Sequence, residues 1–542
     1  MKARRLVTLV GSTCLILALV VLSLMSCAEV TPTPTPTPGP GPTPGPGPTP
    51  PTPPPTGVQY GGNLRIICQT TAMTMGYPPS FGRLNDRMYA SCVTETLLRF
   101  DETGAPEPHL ATSWEVDVDA KTITLTLRKG IKFHDGTDFN AEAVKWNLDQ
   151  YRTSAKAELA KVESVDVIDD YTVRLNLSEF DSLILTNLPL YAGTIISPTA
   201  YETHGKEWCE KNPVGTGPFK LVSWESDIGM KFERFDDYWQ EGKPYLDSIE
   251  FIVMQDPMTK LASFLAGEID ICTGVEPKDA KELEPLGKYK VGKVAGGITG
   301  LAGDGEHDYS PFSNLKVRQA MSHAIDRKAM CDTLGYGYWD AIYQPARPGT
   351  WAESPDVVGY PYDPAKARQL LTEAGYPEGF KTTIYSHNYP PSHVEAMTAI
   401  QSYLADVGID AELDLMDSGR FFYHAIRGGW ENGIIEFGFG LSIPDELAIF
   451  NRFFAPGSIL FVSAVRPPEY QEVLAQAVSA PDFETKKALV HELQKLQVDK
   501  YSMVTWWRTS ATISLKQAQV YDDKYDEIVP YFFRPEDAWL SR

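Results

Sequence analysis

Residues 127–149 read LRKGIKFHDGTDFNAEAVKWNLD. Arg128, Lys132, His134 and Asp135 lie close together in it. Acid, base and cation at such spacing suit a catalytic site or the polar corners of a turning chain, and the flanking residues decide between them. Upstream, KTITLTLR (121–128) alternates, with Ile123, Leu125 and Leu127 on one face and threonines on the other. That period of two marks a half-buried strand. The chain then turns at Lys129-Gly130, runs through Ile131-Lys132-Phe133 and turns again at Asp135-Gly136, where glycine takes a positive φ at no steric cost. Asn140 is placed to cap a helix carrying Val144, Leu148 and Tyr151 on one face. His134 and Asp135 therefore read as turn residues of a strand–turn–helix unit.

The same alternation recurs in DYTVRLNL (170–177), and Leu64–Ile67, Pro218–Trp224 and Met230–Arg234 read as further strands. Helical patterns become dense after residue 310. Asp363 caps one helix, Pro364 opens it and Gly375 closes it. Asn314–Leu334 and Glu484–Tyr501 are amphipathic, the latter with Leu489, Leu493 and Leu496 on one face. Mixed strands and separated helices predict an α/β or α+β chain rather than a barrel or bundle. Gly292–Gly305 holds six glycines in 14 residues and reads as a hinge or loop between lobes. It lacks the lysine and spacing of a phosphate-binding loop.

The 542 residues exceed one core, so two or three domains are expected. With 49 Lys and Arg against 71 Asp and Glu, the net charge of −22 disfavours nucleic acid as a partner. The N-terminus carries Lys2, Arg4 and Arg5, an apolar run Leu6–Leu24 and then Leu24-Met25-Ser26-Cys27. This resembles a bacterial lipobox, so residues 1–26 are read as a lipoprotein signal peptide and Cys27 as the lipidated anchor. An uncleaved membrane anchor is the alternative. Residues 27–57 follow as a Pro/Thr/Gly tether, which favours polyproline II and reaches on the order of 80 Å. Cys68, Cys92, Cys209, Cys272 and Cys331 remain in the mature chain, with no zinc spacing, as one or two disulfides or as buried thiols.

Motifs for bond chemistry are missing. There is no H-E-x-x-H, no G-x-S-x-G, and no S-x-x-K with its partners. His387 and His393, six apart with two prolines between, make a poor metal pair. The chain is read as no enzyme, with no cofactor, no metal and no catalytic residue.

Glu95-Thr-Leu-Leu-Arg-Phe-Asp101, Pro106–Trp114 and the quoted stretch together resemble the family 5 extracellular solute-binding proteins. These include oligopeptide-, dipeptide- and nickel-binding components of ABC importers. Asn212–Lys220, Asp236–Trp239, Ala266–Asp270, Val317–Ala320, Ala324–Arg327 and Tyr362–Pro377 extend the likeness. The resemblance implies an α/β, two-lobed, periplasmic-binding-protein-like fold with an additional α+β subdomain in the first lobe. Lobe I would be residues 58–95, 197–296 and 506–542, the subdomain 96–196, and lobe II 297–505. It implies a lipid-anchored, extracytoplasmic, monomeric receptor that captures a peptide or similar solute and delivers it to an ABC permease. A sensor of the same fold without transport, and a sugar or chelated metal as ligand, stay open. Family peptide binders hold the ligand's amino terminus with an aspartate shortly after a Gly-Trp. Here Gly438–Asp445 matches best, with Phe439 for the tryptophan and Ser442 near the aspartate's place. Glu436 or Asp445 could supply the missing acid, and Gly429-Trp430-Glu431 is an alternative match. The expected ligand contacts are Arg83, Trp430, Glu436, Phe439, Ser442, Trp506 and Trp507.

Overall fold

In the computed structural model, which describes residues 57–541 apart from 83, 102–103, 440–444, 522–523 and 526–532, the quoted stretch folds as its pattern predicts. Signal peptide, Cys27 and most of the tether lie outside the described residues. The strand Thr122–Leu127 buries Ile123, Leu125 and Leu127. Gly130 and Gly136 take φ of 80° and 85° at the two turns. The Asn140 side chain accepts from Ala143 N at 3.0 Å and opens the helix Ala141–Arg152, whose Val144, Leu148 and Tyr151 are buried. Four antiparallel strands in the order Ala111–Asp117, Thr122–Leu127, Thr172–Leu177, Val162–Asp169 form the sheet on which this helix packs. Together they make one core containing Phe133, Phe139, Val173 and Leu175.

The cluster that drew attention is a clasp. His134 Nε2 bonds to Gly217 O at 2.8 Å, and His134 N donates to Gly215 O. Asp135 accepts from Ser197 Oγ and from Thr137. Lys132 pairs with Asp138, and Arg128 lies over the Trp239 ring at 4.7 Å. These bonds tie the small sheet to the 215–217 segment. Burial pushes the His134 imidazole down to about 4, which keeps it neutral and able to donate to the carbonyl.

An eleven-stranded mixed sheet forms the rest of the frame. At one end lie Phe219–Glu225, Gly229–Arg234, Ser248–Val253 and Asn63–Cys68; at the other lie Ile434–Phe439, Phe380–His387 and Ile409–Met416. Two long antiparallel strands join the ends, Tyr289–Gly303 and Thr505–Gln517. The glycine-rich segment expected as a hinge or loop is thus the first of these strands. Its glycines serve close packing rather than turning. A Cβ at Gly300 would lie 2.5 Å from Val504 Cγ1, and one at Gly303 2.5 Å from Phe312 Cβ. Trp506 and Trp507 sit on the second crossing strand.

Asn314–Leu334 is two helices, Leu315–Ala324 and Arg327–Leu334. The chain goes extended at Ile325, and Asp326 caps the second by accepting from Ala329 N. Glu484–Tyr501 is the helix Phe483–Lys495 continued by a π-helical turn, Leu496–Lys500. Pro364–Glu373 has the predicted Asp363 cap. All five cysteines among the described residues are buried, with Cys92, Cys209 and Cys331 as thiols; burial pushes Cys331 up to about 12. Among the described residues, no helix is long and apolar enough to cross a membrane.

The small sheet's module also reaches the far end of the frame. Leu183 packs into the core formed by Leu447, Phe450 and Trp506. Ser182 N donates to Val478 O at 3.0 Å. Thr186 Oγ1 donates to Asp445 Oδ2 at 2.6 Å, and Lys486 pairs with the same carboxylate.

Candidate ligand cavity

The strand Ile434–Phe439 lies against the crossing strand, with Leu301 opposite Glu436 and Ile298 opposite Phe439. Alternation along it sends Ile435 and Phe437 into one core and leaves Glu436 on the other face. A lone acid in so apolar a strand needs partners, because an unpaired buried charge is costly. Glu436 Oε2 accepts from Ser386 Oγ at 2.9 Å and meets His387 Nδ1 at 3.1 Å and His393 Nε2 at 3.0 Å. An Arg508 terminal nitrogen lies 3.3 Å from His393 Nδ1. Arginine can only donate, so Nδ1 accepts and Nε2 carries the proton that faces Glu436.

Local structure explains the convergence. His387 ends the strand Phe380–His387, and His393 is in the first turn of the helix Pro391–Asp406. The intervening prolines turn strand into helix, so the two rings return to one carboxylate. The spacing that looked poor for a metal pair suits this bracket. Burial draws the Glu436 carboxyl toward protonation, but His393 and His387 outweigh it and hold it well below the usual carboxylate range. Burial also lowers Arg508 to about 10, while its guanidinium lies over the rings of Trp339 and Trp507.

Glu436 lines a cavity of about 360 Å³. Gly297–Thr299 of the crossing strand form one side, and Phe421, Phe422, Phe453 and Phe461 form much of the remaining wall. The His387 ring stacks on Phe421 at 3.8 Å. Ile449 and Arg452 enter from the helix Glu446–Phe454. Asp445 caps that helix by accepting from Leu447 N at 3.0 Å and is otherwise held by Thr186 and Lys486.

Of the residues expected from sequence to touch ligand, Glu436 is on the cavity wall. Arg83 and Ser442 lie outside the described residues, and Phe439 is placed only as the last residue of its strand. Trp430, Trp506 and Trp507 are fully buried, and none lines the cavity. Trp430 packs edge-on to Phe461, Trp506 donates to Gln497 Oε1 at 3.2 Å, and Trp507 packs against Trp339. Glu431, the acid of the alternative match, accepts from Tyr309. Asp445 is spent on the three partners above. Sequence reasoning missed His387 and Arg452. The available signal for His387 was Glu436 itself, a charge in an apolar strand that had to find a donor.

Residues 105–460 match the family model for bacterial extracellular solute-binding proteins, family 5. The chain is 36% identical over 316 residues to the glutathione-binding protein GsiB of Pectobacterium atrosepticum, covering 57% of this chain and 61% of that protein. With GsiB of Shigella dysenteriae it is 34% identical over 405 residues, covering 71% and 77%. The matched region spans about three fifths of the first relatives' length. Among solved structures, DppA of Helicobacter pylori in complex with peptide STSA superposes with a TM-score of 0.74 at 25% identity, covering 89% of this chain and 99% of that one. NikA of Brucella suis with Fe(III)-EDTA gives 0.78 at 23% identity, covering 89% and 100%, a likeness of fold alone.

Proposed function

Because the chain belongs to the family 5 bacterial extracellular solute-binding proteins, we propose that it is the extracytoplasmic capture receptor of an ABC importer for a peptide or similar small solute. The two-lobed fold supplies the means. A ligand enclosed between lobes joined by two crossing strands is captured by hinge closure, with no bond chemistry. The observation that carries this reading is the Glu436 cavity, built directly against one crossing strand.

Within this reading, residues 58–95, 197–296 and 506–542 make lobe I, 96–196 its subdomain and 297–505 lobe II. Ser182, Leu183 and Thr186 then bridge the subdomain to lobe II. The Asp445 that Thr186 reaches caps the helix that brings Ile449, Arg452 and Phe453 to the cavity, which links subdomain docking to the ligand wall. Cys27 anchors the receptor by lipid, the tether holds it off the membrane, and the permease receives the closed form.

Mass spectrometry of small molecules released from the purified protein, followed by a thermal-shift screen led by glutathione and short peptides, tests the proposal. A ligand at 100 times its dissociation constant stabilises the fold by about 2.7 kcal/mol. Failure of peptides, sugars and metal chelates alike to shift the protein would remove the receptor reading. Uptake of the recovered ligand lost on deleting the gene separates transport from sensing.

A further inference from the structure

Arg508 is a buried cation with no acid bonded to it. It is 8% exposed, and its guanidinium lies 4.0 Å from the centre of the Trp339 ring and 4.8 Å from that of Trp507. Among the described residues its one side-chain hydrogen-bond partner is His393 Nδ1 at 3.3 Å, and its Nε is sealed from solvent without a partner. A charge so buried needs compensation. The strongest opposing charge is Glu436, which it reaches through the imidazole, since His393 Nε2 lies 3.0 Å from Glu436 Oε2. The three groups form an ion pair with a neutral ring between its ends.

The spacer has a consequence. An arginine bonded directly to Glu436 would take its oxygens in a bidentate fork and close them to any other group. With the ring interposed, the donors meet Oε2, and none among the described residues meets Oε1. The ring does this in one tautomer only: Nδ1 must accept from Arg508 so that Nε2 can donate. In the other, Nε2 would present a lone pair to the carboxylate and repel it. Arg508 stands on the crossing strand Thr505–Gln517, opposite Thr299 and Ala341, and Thr299 lines the cavity. Deepening the receptor reading, on which this rests, we propose that Arg508 is a positioning residue for ligand capture. From the crossing strand it selects the His393 tautomer that donates to Glu436, and so sets the aim of the cavity's carboxylate. A guanidinium kept only to fill the space between two indoles would leave the ring's tautomer unchanged on its removal, which separates the two roles.

Full-length protein is offered a mixed set of dipeptides, neutral sugars and metal chelates, and the compound that mass spectrometry finds retained is the probe for calorimetry. Long-range proton–nitrogen spectra of histidine-labelled, ligand-free protein read the tautomer, with the His393 signal assigned by its loss in His393→Gln. The expected native spectrum has His393 neutral and protonated on Nε2. Arg508→Met should give a mixture of forms and bind the probe about tenfold more weakly or worse. Arg508→Lys, which restores a charged donor, should recover affinity to within about threefold of native. His393→Gln can still donate to Glu436 and accept from Arg508, so it should bind within about threefold, whereas His393→Leu should lose about tenfold or more. That pair keeps the test decisive if Arg508→Met fails to fold. His393 protonated on Nδ1 or on both nitrogens in the native protein, or native affinity in Arg508→Met or His393→Leu, overturns the positioning role and leaves the receptor reading standing. Retention of nothing from the set overturns both.

Discussion

Glu95 and Glu436 are both buried carboxylates beside histidines, yet they differ in how many oxygens the protein consumes. At Glu95, Oε1 accepts from Tyr238 Oη at 2.7 Å and Oε2 from Thr216 Oγ1 at 2.7 Å. Trp239 Nε1 reaches both oxygens, and His109 Nε2 lies 3.2 Å from Oε1. Its side chain is 4% exposed. At Glu436 all partners crowd onto Oε2 beside an open cavity. A carboxylate closed on both oxygens is a structural joint, whereas one left open on one side at a cavity wall has an acceptor to offer a ligand. Residue type alone does not separate the two; the count of satisfied lone pairs does.

The largest effect should come from the closed joint. Glu95→Ala strands Tyr238, Trp239 and Thr216 around a vacated site and should destabilise the fold by about 3 kcal/mol or more in chemical denaturation. Any folded fraction should bind ligand as the native protein does. A ligand-specific defect in a stable Glu95→Ala protein would erase the distinction.

His134 belongs to the same joint through Gly215 and Gly217. Burial lowers its folded value to about 4, below the unfolded value near 6.5. The unfolded chain therefore takes up the proton first, and this contribution to stability is lost as pH falls from about 6.5 to 4. His134→Gln should flatten the fall in stability over that window, by about 3 kcal/mol in total. His134→Ala should leave affinity within a few-fold; a large loss in a folded His134→Ala protein would place the clasp in the binding machinery.

Thr186→Val probes the bridge between the two regions, because Thr186 donates to Asp445 in a buried contact. Removing this hydrogen bond to a charged group should cost about 1–2 kcal/mol. If the bridge forms with closure, ligand dissociation should quicken about tenfold with little change in association, which stopped-flow fluorescence resolves. Equal destabilisation of free and bound protein would make the bridge permanent.

The small module was legible because its signals are local. The alternation of 122–127, the Asp-Gly turn and the Asn140 cap each act within a few residues. The glycine-rich segment was legible as a crossing between lobes but not, from its own residues, as a strand, for the opposite reason. Its glycines are required by Val504 and Phe312, neighbours that composition does not reveal. The cavity was legible only in part. Glu436 stood out as a charge in an apolar strand, but its bracket depends on a strand-to-helix reversal at Pro390 and Pro391 that brings His387 and His393 together. The tryptophans were attractive as pocket walls because they are large and flank the expected cleft. Core packing instead absorbs Trp430, Trp506 and Trp507. The family motifs that carried the resemblance fixed the frame, while the choice of ligand rests on lone pairs that only geometry counts.

The most direct measurement is calorimetric titration of native and Glu436→Gln protein with the compound recovered from the native receptor, alongside their melting curves. The account predicts at least a thirtyfold loss of affinity, about 2 kcal/mol, with melting temperatures of the free proteins within a few degrees. Affinities within threefold of each other, or a variant whose loss of binding tracks a collapse of the free protein's melting temperature, would contradict it.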